Sequence, residues 1–285
     1  MSNIINGKLV ASTIKEKAAN EVKELNRKGI SVCLAVILVG DNPASKIYVR
    51  NKKKACEELG ITSKEFILDA IDPVIGQAKL LDLIKDLNND PTVTGILCQL
   101  PLPNGYDEKA VIEAINPNKD VDAFHPVNVG RIVTRDFAFL PCTPAGIIEL
   151  LNYYNIDIEG KNCVVVGRSN IVGKPMSMLL LHKNGTVTVA HSKTTNLAEI
   201  CSKADILVAA VGKPKFITAD MVKEGAVVID VGINRVDGKL CGDVDFENVA
   251  KKASYITPTP GGTGPCTIAM LMKNTVTAAK IQNNI

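Results

Sequence analysis

Val164-Val165-Val166-Gly167-Arg168-Ser169-Asn170-Ile171-Val172-Gly173 reads as strand, tight glycine turn and helix start. A run of Val that ends at Gly is a buried strand, and the polar turn lets the chain reverse into a helix. A dinucleotide site needs this context, because backbone N–H groups at the helix N-terminus then face phosphates. The fingerprint is incomplete. G-x-G-x-x-G from Gly167 would place glycines at 169 and 172; Ser169 and Val172 stand there, and Gly173 comes one residue late. By itself the segment is equally an ordinary strand-to-helix turn.

The same rhythm extends in both directions. Downstream, residues 187–190, 206–209 and 227–231 read as further strands with helices between them. Upstream, the apolar run 32–39 ends at Gly40. Asp41-Asn42-Pro43 then supplies a cap and a first-turn proline, and Gly60 closes that helix after Leu59. Residues 64–68 and 93–98 are strands around a helix over 74–88, whose Leu80, Leu83, Ile84 and Leu87 share a face. Continuous apolar strands in βαβαβ order predict a parallel sheet covered on both faces. A proline-rich stretch (Pro101, Pro103, Pro117, Pro126, Pro141, Pro144) marks the boundary between lobes, and a helix over 145–154 opens the second. Residues 267–282 have helical spacing at Ile268, Leu271, Met272 and Val276. The expected fold is α/β with two lobes. An N-terminal α/β lobe takes 1–140 and the returning C-terminal helix 268–285; a Rossmann-type lobe takes 141–267.

Composition sets bounds. Of 285 residues, 46% are hydrophobic and 22% charged, which excludes a mostly disordered chain and allows two cores. Aromatics are 4% and Trp is absent, so the cores rest on Val, Ile, Leu and Ala. A net charge of +3 without a basic, aromatic-interleaved stripe argues against a nucleic-acid partner. The densest basic run, Lys52-Lys53-Lys54, reads as a solvated helix face. Eight cysteines without a C-x-x-C pair read as buried thiols of a reducing compartment. His125, His182 and His191 lack metal-ligand spacing. No leader pattern opens the chain and no apolar run reaches the about 18 residues of a membrane span, so a cytoplasmic protein without a membrane partner is expected.

Beyond the strand at 187–190 stands His191-Ser192-Lys193-Thr194. A site for NAD places an acid there for the ribose 2′-OH. Ser192 and the turn residue Arg168 instead offer a hydroxyl and a guanidinium, as a 2′-phosphate requires. Against a bare surface arginine, the missing acid favours NADP. In the first lobe, Tyr48 and Lys52 stand at i and i+4 and share a helix face. A desolvated lysine beside a tyrosine in a cleft can exchange protons. From the residues alone, a solvated helix with Tyr48 half in the core is the better account. Gln99, before Leu100-Pro101-Leu102-Pro103, ends a parallel strand, where open α/β sheets bind ligands. Asp120 and Asp122 could bind metal, but two loop acids without further ligands are more often caps or surface residues.

Taken together, these residues resemble the bifunctional methylenetetrahydrofolate dehydrogenase/cyclohydrolase family, the FolD family. The resemblance runs from Ile5-Asn6-Gly7-Lys8 through Ser45, Tyr48, Lys52, Lys54, Gln99–Pro103 and Lys119-Asp120-Val121-Asp122. It continues through Pro141-Cys142-Thr143-Pro144-Ala145-Gly146, Gly167–Pro175, His191–Thr194 and Ile229-Asp230-Val231-Gly232-Ile233-Asn234. It closes at Pro258-Thr259-Pro260-Gly261-Gly262-Thr263-Gly264-Pro265-Cys266-Thr267. It overturns the bland account of Tyr48 and Lys52. Departures are Ala123, where the family usually has Gly, and Thr259, Thr263 and Cys266 in the Pro/Gly loop; these would line the folate cleft.

The resemblance implies an enzyme that oxidises 5,10-methylenetetrahydrofolate with NADP⁺ and hydrolyses the methenyl product to 10-formyltetrahydrofolate. It implies a homodimer in one-carbon metabolism, supplying purine, methionine and histidine biosynthesis. Lys52 would shuttle protons, Gln99 would position it or the water, Tyr48 would pack on the folate, and Asp122 would accept from the pterin. Gly262 and Pro265 join the substrate set; Gly167, Arg168, Ser169, Ser192 and Ile233 hold NADP; no metal is implied. Alternatives are another two-lobe NADP dehydrogenase of the shikimate or amino-acid type, and a non-catalytic NADP-binding sensor. A trifunctional form with an ATP-dependent ligase part is excluded, since no G-x-x-x-x-G-K-[ST] loop occurs.

Overall fold

The computed structural model describes residues 2–285. The elements begin with β1 (Asn3–Ile4), α1 (Gly7–Arg27), β2 (Cys33–Val39), α2 (Pro43–Leu59), β3 (Thr62–Leu68), α3 (Pro73–Asn89), β4 (Gly95–Cys98), α4 (Glu108–Ala114) and α5 (Pro126–Thr134). There follow α6 (Cys142–Tyr153), β5 (Asn162–Val166), α7 (Gly173–His182), β6 (Thr186–Ala190), α8 (Leu197–Cys201), β7 (Ile206–Ala209) and β8 (Val227–Asp230). The chain ends with β9 (Asn234–Val236), β10 (Lys239–Cys241), α9 (Phe246–Val249), β11 (Tyr255–Ile256) and α10 (Thr263–Gln282). Two compact units result. One takes Thr13–Leu140 with Ile268–Ile285; the other takes Pro141–Thr267 with the N-terminal segment through Ser12.

The first unit is built on three parallel strands in the order β3-β2-β4. Every residue of β2 is buried, as its unbroken apolar run requires. Helix α2 begins where the Asn42 side chain accepts from the Ala44 and Ser45 N–H groups, with Pro43 in the first turn. It ends at Gly60, left-handed at φ 76°, whose N–H returns to the Cys56 and Glu57 carbonyls. Asp72 caps α3 in the same way. Leu80, Ile84 and Leu87 of α3 pack on Ala35, Ile37 and Ile96 of the sheet. The end of α10 returns to this unit as expected: Asn274 Nδ2 donates to the Val121 and Leu140 carbonyls, and Gln282 Nε2 to Thr94.

The second unit holds a six-stranded sheet in the order β1-β11-β8-β7-β5-β6, all pairs parallel. Val164, Leu207, Val228 and Ile256 contribute to its core. One expectation needs correction. Residues up to 12 were expected in the first lobe, but β1 pairs with β11 (Asn3↔Tyr255, Ile4↔Ile256), and Gly7 N–H donates to Gly261 O at 2.9 Å. A two-residue strand has no periodicity of its own to read; a partner some 250 positions away creates it. The β9–β10 hairpin, turning at Asp237-Gly238 with φ 49° and 75°, follows the usual Asp-Gly preference. Helix α1 lies outside the segments expected above, although its buried stripe Val10, Ile14, Ala18, Val22 and Leu25 has helical spacing. Among the described residues no helix is long and apolar enough to cross a membrane.

Backbone meets backbone at Gly7, where a Cβ would stand 1.7 Å from the Gly262 carbonyl oxygen. We expect Gly7→Ala to cost about 1–3 kcal/mol, since main chain must move. Gly130, inside α5 with open space around its Cβ position, is the control. Gly130→Ala should add about 0.5–1 kcal/mol through helix propensity. Scanning calorimetry of the two variants should show shifts of opposite sign.

Candidate functional site

Ser45, Val49, Lys52, Cys56 and Leu59 form the buried stripe of α2. Lys52 is thus a cation on an apolar face, 8% exposed, and its Nζ donates to Gln99 Oε1 at 3.0 Å. Gln99 follows β4 directly, with its N–H on the Ile37 carbonyl at 2.9 Å, so the strand ladder holds its backbone. Its Nε2 donates to Leu100 O at 2.7 Å, which turns the amide oxygen to Lys52. The solvated-face reading of Lys52-Lys53-Lys54 survives for Lys53, paired with Glu65 at 3.0 Å, and fails for Lys52. The stripe spacing was the sequence signal for this. Tyr48, one turn earlier, is half-buried, and burial pushes its phenol up. It stays protonated at neutral pH. Burial likewise pushes the Cys98 thiol up to about 12, which leaves no thiolate beside Gln99.

The two loop acids part company. Asp120 bridges to Ile96 at the edge of the sheet and is almost fully buried. Its carboxylate accepts from the His125 N–H and from Asn128 Nδ2, both at 2.8 Å. Burial raises its pKa while these bonds oppose the rise. Lys119 is equally structural: its Nζ donates to the Leu87 and Asp90 carbonyls at the end of α3. Asp122, like Asp120, lines a small pocket with Leu97, Cys98, Leu100 and Phe124. Among the described residues no hydrogen bond engages its carboxylate. Ala123 is left-handed at φ 57°, which gives the physical reason for a glycine preference there.

In the other unit, Val166 pairs with Ala190, so Arg168 and Ser192 each stand two residues beyond paired strand ends. Both are exposed. Gly167 has φ 139°, and a Cβ on it would lie 2.3 Å from Ala210 O. A Cβ on Gly173 would lie 2.3 Å from Gly167 O, so the late glycine is needed for the helix start to close on the turn. The phosphate donors differ from those expected. Ser169 Oγ already accepts from the N–H groups of Val172 and Gly173, at 3.2 Å each. Among the described residues, no acceptor engages the N–H groups of Ser169, Asn170 and Ile171, so the donors on offer lie in the loop. The 191–194 turn is held by His191 N–H on Thr194 Oγ1 at 2.8 Å. A guanidinium, a hydroxyl and no carboxylate at these two strand ends fit a coenzyme with a 2′-phosphate. Ile233, 48% exposed, lies just beyond β8.

Two groups in this unit escaped the sequence reading. Asp230 and Asp243 are buried carboxylates at the carboxyl edge of the sheet. Burial pushes Asp230 up to about 6, against donors from Asp243, Val244 and Gly232 N–H groups. Acids in Asp-x-Gly and Gly-Asp pairs next to an apolar strand were the available signal. The Pro/Gly loop corrects another expectation. Thr263 and Cys266 are buried and bonded inward, to Asp230 O at 3.3 Å and Gly7 O at 3.3 Å, so neither lines a cleft; Thr259 is half-buried. Gly262 is buried where Gly7 approaches, and Pro265 is half-buried in the first turn of α10. A larger cavity opens at the opposite, amino end of the strands, where Lys223 pairs with Asp205.

A model of the tetrahydrofolate dehydrogenase/cyclohydrolase catalytic domain matches residues 5–122, and one of the NAD(P)-binding domain matches residues 141–283. Bifunctional protein FolD of Agathobacter rectalis is 60% identical over 281 residues, covering 98% of this chain and 100% of that protein. The crystal structure of FolD from Campylobacter jejuni superposes with a TM-score of 0.94 at 50% identity, covering 100% of both chains. The Trypanosoma brucei enzyme, complexed with NADP cofactor and inhibitor, gives 0.93 at 38% identity, covering 100% of this chain and 99% of that one.

The hydrogen bonding separates the two loop acids by stability alone. Asp120→Ala strands the His125 N–H and one of the two Asn128 Nδ2 hydrogens, the other staying on the Pro117 carbonyl, and should cost about 1–3 kcal/mol. Asp122→Ala should leave the stability within about 0.5 kcal/mol of the parent, since no hydrogen bond is lost. Thermal melts of both variants check the pair; equal losses would contradict the assignment.

Proposed function

The chain belongs to the tetrahydrofolate dehydrogenase/cyclohydrolase family, and from that premise we propose how its own residues divide two consecutive reactions. The protein oxidises 5,10-methylenetetrahydrofolate to the methenyl form with NADP⁺ and hydrolyses that to 10-formyltetrahydrofolate. The observation that carries the residue roles is the buried Lys52 Nζ, which donates to the Gln99 amide oxygen at 3.0 Å.

NADP⁺, when bound, supplies the hydride acceptor. Arg168 and Ser192 hold its 2′-phosphate, and Gly167, Ser169 and Ile233 complete that set. Hydride leaves the methylene carbon, and the two flanking nitrogens stabilise the cation, so the enzyme's task is alignment. Tyr48 packs against the folate as a neutral phenol. Asp122, its carboxylate not engaged within the chain, accepts from pterin N–H groups. Gly262 and Pro265 enter the substrate set through the resemblance alone.

Hydrolysis moves protons. Water adds to the methenyl carbon and both of its protons leave the oxygen as the formyl C=O forms: one ends on the nitrogen whose bond to that carbon breaks, and the other goes to solvent, which discharges the methenyl cation. One amine that accepts the first proton and delivers it to the departing nitrogen serves the transfer. We assign that amine to Lys52 Nζ, whose bond to Gln99 Oε1 supports the reading by giving the amine a direction. The reading extends to a cytoplasmic homodimer, a setting with which eight cysteines in no disulfide accord. Light scattering of the purified protein checks the dimer.

Three outcomes test these roles. Lys52→Met should lower cyclohydrolase turnover by about 10²–10⁴-fold, the worth of positioned proton transfer, while part of the dehydrogenase persists and methenyltetrahydrofolate accumulates. Lys52→Arg keeps the charge but cannot cycle; hydrolysis at the parent rate would make the role of Lys52 electrostatic. Arg168→Ala should weaken NADP⁺ by about 2 kcal/mol, roughly 30-fold, and NAD⁺ far less. A spectrophotometric assay following methenyl absorbance and reduced coenzyme reads all three.

A further inference from the structure

We propose that Asp243 is a positioning residue of the coenzyme site, holding the loops after β7 and β8 together as the platform for the nicotinamide half of NADP⁺. The inference rests on the coenzyme reading above. Strand order gives the direction. Arg168 and Ser192, at the ends of β5 and β6, take the 2′-phosphate of the adenosine half. A dinucleotide lying along the carboxyl edge then runs from β5 over its neighbours β7 and β8. The loops it meets are Val211–Lys213 and Ile233–Asn234.

Asp243 joins those two loops from below. It is 0% exposed. Its Oδ2 accepts from the Val211 N–H at 2.6 Å and the Gly212 N–H at 2.9 Å. Its Oδ1 accepts from the Lys213 N–H and from Asn234 Nδ2, both at 2.9 Å. Asp230 in turn sets the backbone of Asp243: its Oδ1 accepts from the Gly232 and Asp243 N–H groups at 2.9 Å, and its Oδ2 from Val244 at 3.1 Å. The chain makes room for both carboxylates. A Cβ on Gly232 would lie 2.3 Å from Asp243 Oδ1, and one on Gly242 would lie 1.7 Å from Asp230 Oδ2.

A carboxylate is the group this geometry demands. Each oxygen of Asp243 meets two donors, and an amide would turn one of those oxygens into a third donor. An asparagine with its oxygen at the Oδ1 position would keep Lys213 and Asn234 but turn a donor toward Val211 and Gly212, and the other orientation would lose Lys213 and Asn234; either way two of the four bonds go. The platform is coupled to the dinucleotide turn as well, because Ala210, just before Val211, packs its carbonyl against Gly167. Asp243 itself is buried beneath the loops. It acts through them and does not touch the coenzyme.

The test is calorimetric titration of the intact protein with NADP⁺ and, separately, with adenosine 2′,5′-bisphosphate, which carries only the adenosine half. Asp243→Asn should weaken NADP⁺ by about tenfold or more, while the bisphosphate binds within about twofold of the parent. Asn234→Ala, which removes one bond from the loop after β8, should weaken NADP⁺ by about threefold with the bisphosphate unmoved. Unchanged NADP⁺ affinity in folded Asp243→Asn overturns the inference, as does a loss shared equally by the fragment. If Asp243→Asn does not fold, unchanged NADP⁺ affinity in Asn234→Ala overturns it. A parent protein that binds neither ligand overturns the coenzyme reading, and this inference with it.

Discussion

Parallel pairing collects the carboxyl ends of neighbouring strands on one edge, and the residues proposed for chemistry in both units stand there. In the first unit the ladder through Ile37 continues one residue past β4 and holds Gln99 for Lys52. In the second, the Val166↔Ala190 pair brings Arg168 and Ser192 to adjacent strand ends. Neither arrangement depends on a long loop finding its own shape. The sheet sets the backbone, and the side chains one or two residues beyond it inherit that precision.

Buried charge is where this chain spends stability on function. Lys119 and Lys52 are both buried, with opposite meanings. Lys119 satisfies carbonyls at the end of α3 and thereby closes a helix, although burial depresses its pKa. Lys52 bonds to a side-chain amide at the carboxyl edge of β4, and the proton shuttle proposed above rests on that bond. Asp120 and Asp122 repeat the contrast among acids. One carboxylate is bonded into the loop that carries it; among the described residues no hydrogen bond engages the other.

Glycine marks the close approaches that these arrangements require. Gly167 and Gly173 let the dinucleotide turn fold onto the helix start, which is why the second glycine comes late against the usual fingerprint. The same turn spends Ser169 on the helix N-terminus and leaves the N–H groups of the loop for phosphate. Gly232 and Gly242 give their missing side-chain volume to two buried carboxylates. In each case the residue is required by what packs against it, more than by its own flexibility.

The amino-acid sequence by itself determined what depends on near neighbours. Apolar runs set the strands of both sheets. Asn42, Asp72 and Gly60 set helix ends, and the Gly167–Gly173 turn with the missing acid after β6 marked the coenzyme site. Motifs in order along the chain identified the family. Tertiary structure alone decided which of two nearby acids is bonded into its own loop and which is not, because that turns on Asn128 and His125 folding back onto Asp120. It also decided that the N-terminal residues join β11, and that Asp243 ties two loops from beneath. The burial of Lys52 stands between the two. Its stripe spacing is legible, but its acceptor lies 47 residues away. Local pattern fixes secondary structure through short-range sterics and periodic burial; the partner of a buried polar group is chosen by chain segments that meet only when the sheet has formed.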